Sequence, residues 1–552
     1  MTAVAAELAQ VPLFQGVTSD ALARLAERAT TRQLEAGASL FREGDPADCL
    51  YVVRSGRLQV IVEGEDGPRV VRELGPRAAL GELALLSGSG RSASVRAVRD
   101  SELLEVGAAE FAALLDDDPR LGRAVATELA RQLQASGGLA APSTRPSVFS
   151  VIPLGGSEDA ERLAAAMRIE LERYGSVALL RGDEGSDGSA ALLERTERDA
   201  DAVLLVAGSG DSEWDRFARR QADRTLLVAD EATQVSADAE GCDLVLLAPL
   251  PSGATARWLN AAGPSTHHLV YEIGFDLGAA RVARRVAGRS LGVVLSGGGA
   301  RGFAHIGAIA ALAESGIEID RLGGCSMGAY VAAMSALGLD AGQIRDLCHD
   351  ELVRRTPFND WTVPRVALIR SRKAARMLER VFGELQVEEL PRPLFTVSAD
   401  LLTSRTVVHR QGSLLEAVGA SMSIPGLVPP VARAGRLLVD GGILNNLPVD
   451  LMHDAREGPI VAIDVVRRLD ADFTETPLLP SIVETMSRAT VLGSVERAER
   501  NRELATIVIN PEVQDIGLRE FKALDRAIAA GRIAAEAALV AGADVVREAL
   551  HA

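Results

Sequence analysis

Aromatic residues are scarce in this chain: three tryptophans, four tyrosines and twelve phenylalanines in 552 residues. Its cores must therefore rest on aliphatic and small side chains. Cysteine is also rare. Cys49, Cys242, Cys325 and Cys348 are far apart and form no Cys-x-x-Cys pair, which argues against a disulfide scaffold or a zinc ribbon. Free thiols in a reducing cytoplasm are expected. No stretch of ~18 uninterrupted apolar residues occurs, so no membrane-spanning helix is expected. Met1 to Gln10 lacks the basic start and apolar centre of a signal peptide. Positive charge is in deficit: the net charge of −17 disfavours a general nucleic-acid binder. No Gly-x-x-x-x-Gly-Lys-Ser/Thr occurs, so no nucleotide hydrolysis is assigned.

The length supports three or four domains, each able to bury a core. The chemistry concentrates in Leu291 to Gly328. An apolar run, Val293 to Leu295, reads as a buried strand. It ends in Gly297, Gly298 and Gly299, then Ala300, Arg301 and Gly302. A helix is expected over Phe303 to Glu314 and a second strand near Ile317 to Ile319. Gly324-Cys325-Ser326-Met327-Gly328 follows, then a helix from Ala329 to Leu337. Glycines after a strand present free N–H groups at a helix start, an arrangement suited to an oxyanion. Serine in Gly-x-Ser-x-Gly sits at the apex of a strained elbow. Its hydroxyl needs a base. Asp440, in Leu438-Val439-Asp440-Gly441-Gly442, ends another apolar run and is the candidate.

Two rival readings are weaker. Gly297-x-Gly299-x-x-Gly302 matches a dinucleotide fingerprint, with Glu318 and Asp320 near the ribose spacing. It leaves the serine and aspartate motifs unexplained. A Ser-Asp-His triad has His453 as its only histidine between Asp440 and the tail, inside the helix-like run Asp450 to Arg456.

The three motifs in order, Gly-Gly-Gly-x-Arg-Gly, Gly-x-Ser-x-Gly and Asp-Gly-Gly, resemble those of the patatin-like phospholipases. The resemblance covers roughly residue 289 onward. It implies a serine–aspartate dyad of Ser326 and Asp440, with Gly297, Gly298, Gly299, Arg301 and Gly302 as oxyanion site. Ala420 to Gly426, reading ASMSIPG, looks like a further block of that family.

Residues 11–136 read as a small β-barrel with helices. A helix is expected from Ser19 to Ala29, capped by Ser19 or Asp20. Short strands are expected at Arg32–Leu34, Ser39–Phe41, Cys49–Arg54, Arg57–Val62 and Arg69–Leu74, with a turn at Ser55-Gly56. Leu80 to Ala97 carries Glu82 on a short helix and Arg91 in a loop. An arginine fork pairs with phosphate, and the amides of a turn at Gly81 to Leu83 can support the same anion. This stretch resembles the phosphate-binding cassette of cyclic nucleotide-binding domains. The resemblance implies Gly81, Glu82, Leu83, Arg91 and Ser92 as the nucleotide site, with Arg91 on the phosphate and Glu82 on the ribose. Ala93 stands where a threonine usually aids cGMP, so cAMP is the expected ligand. Leu121, Val125, Leu129 and Leu133 form a stripe suited to a lid helix or to plain packing.

No basic helix-turn-helix follows the barrel. Residues 137–147 read as a linker. Residues 148–288 alternate strands with helices: Val148–Ile152, Val177–Leu180, Ala202–Val206, Thr225–Val228 and Leu244–Leu247, which suggests a parallel sheet, and the region is read as a spacer or coupling domain. His267 and His268 read as surface residues, and no metal site is expected. Residues 289–545 form the C-terminal α/β catalytic domain. Within it, Phe358, Trp361 and Val363 lie near Arg365, Arg370, Arg372, Lys373 and Arg376, which suits either an interfacial site or a solvated face. Helices are expected at Ser481–Asn501 and Arg519–Ala541.

The whole resembles a neuropathy target esterase-like patatin phospholipase. The implied architecture is multidomain: an N-terminal cyclic nucleotide-binding β-barrel, a middle α/β domain and a C-terminal α/β patatin-like domain. The implied activity is hydrolysis of (lyso)phospholipid esters under control of cAMP, with no catalytic cofactor. The alternative is a cyclic-nucleotide sensor whose hydrolase domain is inactive or takes other esters. The expected location is the cytoplasm with peripheral contact at the inner membrane face. Oligomerisation is left open.

Overall fold

Almost every second residue of the strand Ser94–Gly107 is buried, Val95, Ala97, Arg99, Ser101, Leu103 and Leu104 among them. That period of two places one face on a core and the other on water. The computed structural model describes residues 2–64, 67–117, 145–182, 189–208, 212–230, 239–250, 253–271, 274–466 and 492–551, with 122, 485 and 489. The fold divides into two compact units. One comprises 1–233, 239–245 and 264–266; the other comprises 234–238, 246–263 and 267–552.

The first unit opens with a barrel. Its strands are β1 (Thr30–Leu34), β2 (Ser39–Phe41), β3 (Cys49–Gly64), β4 (Gly67–Leu74), β5 (Ala79–Leu80) and β6 (Ser94–Gly107). They run β1-β6-β3-β4, with β2 on β6 and β5 on β3, and the pairs are antiparallel. The expected turn at Ser55-Gly56 is not a turn. β3 runs through it with register shifts from Val53 to Leu58. Gly56 has φ +95°, and a Cβ there would lie 2.2 Å from Ser101 Oγ. It is a bulge that bends one long strand. The first long helix is Ser19–Arg28 with Thr18 as N-cap, one residue before the expected cap. The stripe from Leu121 to Leu133 and most of the 137–147 linker lie outside the described residues.

An α/β layer completes this unit. β7 (Val148–Pro153), β8 (Val177–Arg181), β9 (Ala202–Val206), β10 (Arg224–Ala229) and β11 (Asp243–Leu246) lie in the order β11-β10-β7-β9-β8. The pairs β10–β7, β7–β9 and β9–β8 are parallel. Every residue of β7 is buried, as expected where both sheet faces are covered. Barrel and layer meet at a buried ionic junction. Asp223 Oδ1 lies 2.9 Å from Arg57 Nε and 3.0 Å from Arg99 Nε. Its Oδ2 accepts the amides of Ser147 and Val148. Burial opposes the charge on Asp223, but Arg99, Arg57 and those amides hold its carboxyl below the ordinary range.

β12 (Thr266–Leu269) and the helix Phe275–Val286 lead into the second unit. Its sheet contains β13 (Gly292–Leu295), β14 (Arg321–Cys325), β15 (Leu394–Asp400), β16 (Arg405–His409), β17 (Val431–Arg433), β18 (Arg436–Asp440), β19 (Ile460–Ile463) and β20 (Ile507–Ile509). The order is β17-β18-β15-β14-β13-β19-β20, with β16 on β15. The run β15-β14-β13-β19-β20 is parallel. The second strand therefore begins at Arg321, not near Ile317–Ile319. Its glycines lower strand propensity, but Gly323 is required: a Cβ there would meet the Phe395 ring at 2.3 Å. The helix expected over Phe303–Glu314 starts with a 3-10 turn, Gly299–Phe303, and becomes α-helical at Ala304. It crosses the last helix, Leu524–His551, at glycine. A Cβ on Gly307 would lie 1.9 Å from Ile528 O, and one on Gly531 would lie 1.8 Å from Ala304 O. Such backbone-close packing explains how a core poor in aromatics fills its space.

Candidate active site

The elbow is built by glycines that admit no side chain. Gly324 is the penultimate residue of β14, and a Cβ on it would press 2.7 Å from the Gly328 carbonyl carbon. A Cβ on Gly328 would lie 2.3 Å from Leu295 O. Between them Ser326 takes φ +54°, ψ −122°, a conformation that costs an L residue of order 1–3 kcal/mol. The elbow thus lifts the serine above the strand end at the start of the helix Met327–Ala336. Ser326 retains 8% exposure.

The carboxylate arrives from β18, which runs antiparallel to β15 and pairs Asp440 with Ser398. Ser326 Oγ donates to Asp440 Oδ2 at 2.6 Å across 114 residues of sequence. Asp440 Oδ1 accepts the Gly442 amide at 2.8 Å and the Cys325 thiol at 3.7 Å. Gly441 is fixed because a Cβ would lie 2.5 Å from Val397 O. Burial pushes the Asp440 carboxyl up to about 6, against the opposing pull of its hydrogen-bond donors. Burial and the neighbouring Asp440 charge also push the Cys325 thiol up, so it stays neutral. The hydroxyl meets the carboxylate directly, without an imidazole between them.

The five residues read as an oxyanion site differ in their surroundings. The Arg301 guanidinium is turned to the carbonyls of Ile516 at 2.7 Å and Gln514 at 3.4 Å, so it braces the C-terminal segment. The Gly297 amide donates to Asn446 O at 3.2 Å. Gly302 is a packing position, since a Cβ would lie 2.4 Å from Met327 Cγ. The amides of Gly298 and Gly299 have no acceptor among the described residues. Gly299 has φ +56°, and a Cβ would strike Leu518 O at 2.3 Å. These two amides are the candidates for an oxyanion cradle.

Two positioning residues were not singled out from the sequence. Ser421 Oγ accepts the Ser326 amide at 2.8 Å. Asn446 Nδ2 donates to Gly297 O at 3.2 Å, tying the Asp-Gly-Gly turn to the glycine loop. Ser421 lies in the ASMSIPG block, but its acceptor role has no local signature. The rival ribose carboxylates are committed elsewhere: Arg284 bonds both Glu318 and Asp320 at 2.6 Å.

In the barrel, Gly81 (φ +90°) precedes the helix Glu82–Ser87. Arg91 is buried and donates to Gly81 O at 3.3 Å and Cys49 O at 2.9 Å. It also lies 3.4 Å from Asp48, and its guanidinium sits 4.3 Å from the Phe41 ring centre. Its Nε is buried without a partner among the described residues. A Cβ on Gly81 would come within 2.5 Å of Arg91 Nη1. Glu82 is buried beside this turn, while Leu83 and Ser92 are exposed. An arginine with an orphaned donor next to a helix start fits an anionic ligand. No group of three or more His, Cys, Asp or Glu side chains among the described residues could hold a metal. His267 instead bonds Glu388 O at 2.8 Å.

Two family models match the chain: patatin-like phospholipase over residues 293–453 and cyclic nucleotide-binding domain over 31–118. Fold and sequence thus define a patatin-like lipid esterase joined to a cyclic nucleotide-binding barrel. An NTE family protein of Mycobacterium tuberculosis is 36% identical, with 98% of this chain and 97% of that protein aligned. Rat patatin-like phospholipase domain-containing protein 7 is 30% identical over 80% of this chain, which spans 38% of its length. Among solved structures, the regulatory domain of Toxoplasma gondii PKA with cAMP is 36% identical over 21% of this chain and 44% of that one, at TM-score 0.20. Thermus thermophilus catabolite activator protein is 28% identical over 29% of this chain and 71% of that one, at TM-score 0.22. The chain belongs to the NTE family.

Proposed function

We propose that this protein hydrolyses a carboxylic ester of a phospholipid or lysophospholipid. Ser326 Oγ attacks the acyl carbonyl as Asp440 takes its proton. The Gly298 and Gly299 amides hold the oxyanion. Asp440 returns the proton to the departing alcohol, leaving an acyl-serine. Water, deprotonated by Asp440, then attacks that ester, releasing the fatty acid and restoring the serine hydroxyl. The observation that carries the reading is the 2.6 Å hydrogen bond from a strained serine to a buried carboxylate. Cyclic nucleotide, with cAMP the preferred ligand, binds through Arg91 and Glu82 and adjusts the activity. Such coupling is typically about 1–3 kcal/mol. Among the described residues no helix is long and apolar enough to cross a membrane, and the enzyme meets its lipid peripherally. A panel of lysophospholipids, diacyl lipids and short p-nitrophenyl esters, run with and without cAMP, tests the reading. Ester cleavage by wild type and none by Ser326→Ala is expected. Undiminished activity of Ser326→Ala refutes the assignment.

A further inference from the structure

The loop before the helix Arg372–Phe382 has a fixed neck and a bare tip. Trp361 and Ile369 form an antiparallel bridge, and the Thr362 amide donates to Leu368 O at 3.0 Å. Beyond that neck, Val363 and Val366 are 78% and 72% exposed; Trp361 is 49% exposed. The turn after β15 exposes Leu401 and Leu402 as well. It leaves the C-terminal end of β15, the same sheet end at which β14 delivers Ser326, because the two strands are parallel.

The cations around the loop are equally unusual. Arg365, Arg370, Arg372 and Arg376 are exposed and pair with no carboxylate among the described residues. Nearby Arg345, Arg354, Arg355 and Arg380 all do. Lys373 Nζ bonds only the neutral Asn359. Asp360 is turned to the helix start, where it accepts the Lys373 amide. A basic cluster thus stands unneutralised on a chain of net charge −17.

The loop also braces both halves of the active site. The amides of Leu368 and Ile369 donate to Gly426 O and Leu427 O, just beyond Ser423, whose carbonyl accepts the Asp440 amide. On the other side, Arg519 lies 4.9 Å from the Trp361 ring centre. Its neighbour Leu518 accepts the Ala300 amide beside the cradle.

We propose that this rim docks on an anionic lipid surface. Trp361, Val363 and Val366 enter the boundary between headgroups and acyl chains, and the flanking cations face the headgroups. Aromatic and apolar side chains ringed by Lys and Arg suit that boundary, and each cation near an anionic leaflet adds to binding. The acidic remainder of the chain is repelled by the same surface, which orients the rim toward it. The inference rests on the lipid-ester reading for its purpose, but its test does not need turnover.

Flotation of the full chain carrying Ser326→Ala measures docking without hydrolysis. Vesicles of phosphatidylcholine alone are compared with vesicles that also contain phosphatidylglycerol. Binding should favour the mixed vesicles. In that background Val363→Asp with Val366→Asp, or Arg365→Glu with Arg372→Glu, should each weaken binding roughly 10-fold or more, with far-UV circular dichroism unchanged. Equal binding to both vesicle types, unchanged binding by both variants, or binding to duplex DNA in place of vesicles would overturn the proposal. With Ser326 present, Val363→Asp with Val366→Asp should still cleave a short soluble ester while losing vesicle-borne substrate. Failure of wild type on every ester would sink the hydrolase reading and leave the flotation result to decide docking.

Discussion

Ser421 Oγ accepts the backbone amide of Ser326 at 2.8 Å, and both groups are buried. The bond reaches across 95 residues to pin the amide of a residue held at φ +54°. Ser421→Ala removes the acceptor and leaves a buried N–H unpaired, at a cost of about 1–3 kcal/mol. The elbow should relax, and kcat should fall on the order of 10-fold with KM little changed. Steady-state kinetics on a soluble ester, paired with thermal denaturation, checks both effects. Unchanged kcat would show that the glycine packing alone holds the elbow.

Asp440 must be ionised to accept the serine proton. Burial places its pKa at about 6. The rate should therefore drop as pH falls through about 6, and a kcat/KM profile on a soluble ester reads this limb directly.

The same shift has a stability sign. A carboxyl raised from 3.8 to about 6 favours folding fully below pH ~3.8 and loses that contribution as pH rises through about 6. At pH 8 the ionised side chain costs on the order of 3 kcal/mol. Asp440→Asn should be inactive at every pH yet more stable than wild type at pH 8, with the difference fading near pH 4. Urea denaturation at the two pH values measures it.

Asp223 is the carboxylate shared by two buried arginines, so Asp223→Ala leaves Arg57 with Glu73 and Arg99 with Glu197 as their remaining acidic partners. Breaking a buried pair by removing one partner costs about 3–5 kcal/mol. The first unit should lose that much stability while hydrolysis of a soluble ester at low temperature persists. Differential scanning calorimetry of the full chain would show the shift.

Arg91→Ala removes a guanidinium with one unpartnered buried donor. Calorimetric titration with cAMP should show affinity reduced roughly 10-fold or more, in line with loss of a charge-assisted bond. Identical heats from wild type and variant would exclude the site.

Much of this was legible in the sequence because local chemistry announces it. Glycines flanking Ser326 and following Asp440 mark turns, and short aliphatic runs mark strands. Other features depend on distant partners. Ser55-Gly56 reads as a turn, yet Ser101 across the ladder makes it a bulge. The strand read near Ile317 to Ile319 lies at Arg321–Cys325, where Phe395 and the elbow demand Gly323 and Gly324. Arg301 reads as an oxyanion ligand from its motif, while the carbonyls of Gln514 and Ile516, over 200 residues on, claim its side chain. Ser421 announces nothing locally, because its role lies in a hydroxyl meeting one particular amide.

The glycine loop leans on chain far beyond the three motifs. Leu518 and Ile516 hold its backbone and Arg301, and the final helix crosses Ala304 at Gly531. A protease nick between 504 and 517 would leave Ser326, Asp440 and their loops covalently intact. It would nonetheless free the buttress behind the cradle to drift away. Limited proteolysis should therefore silence the enzyme without touching any residue that meets the substrate.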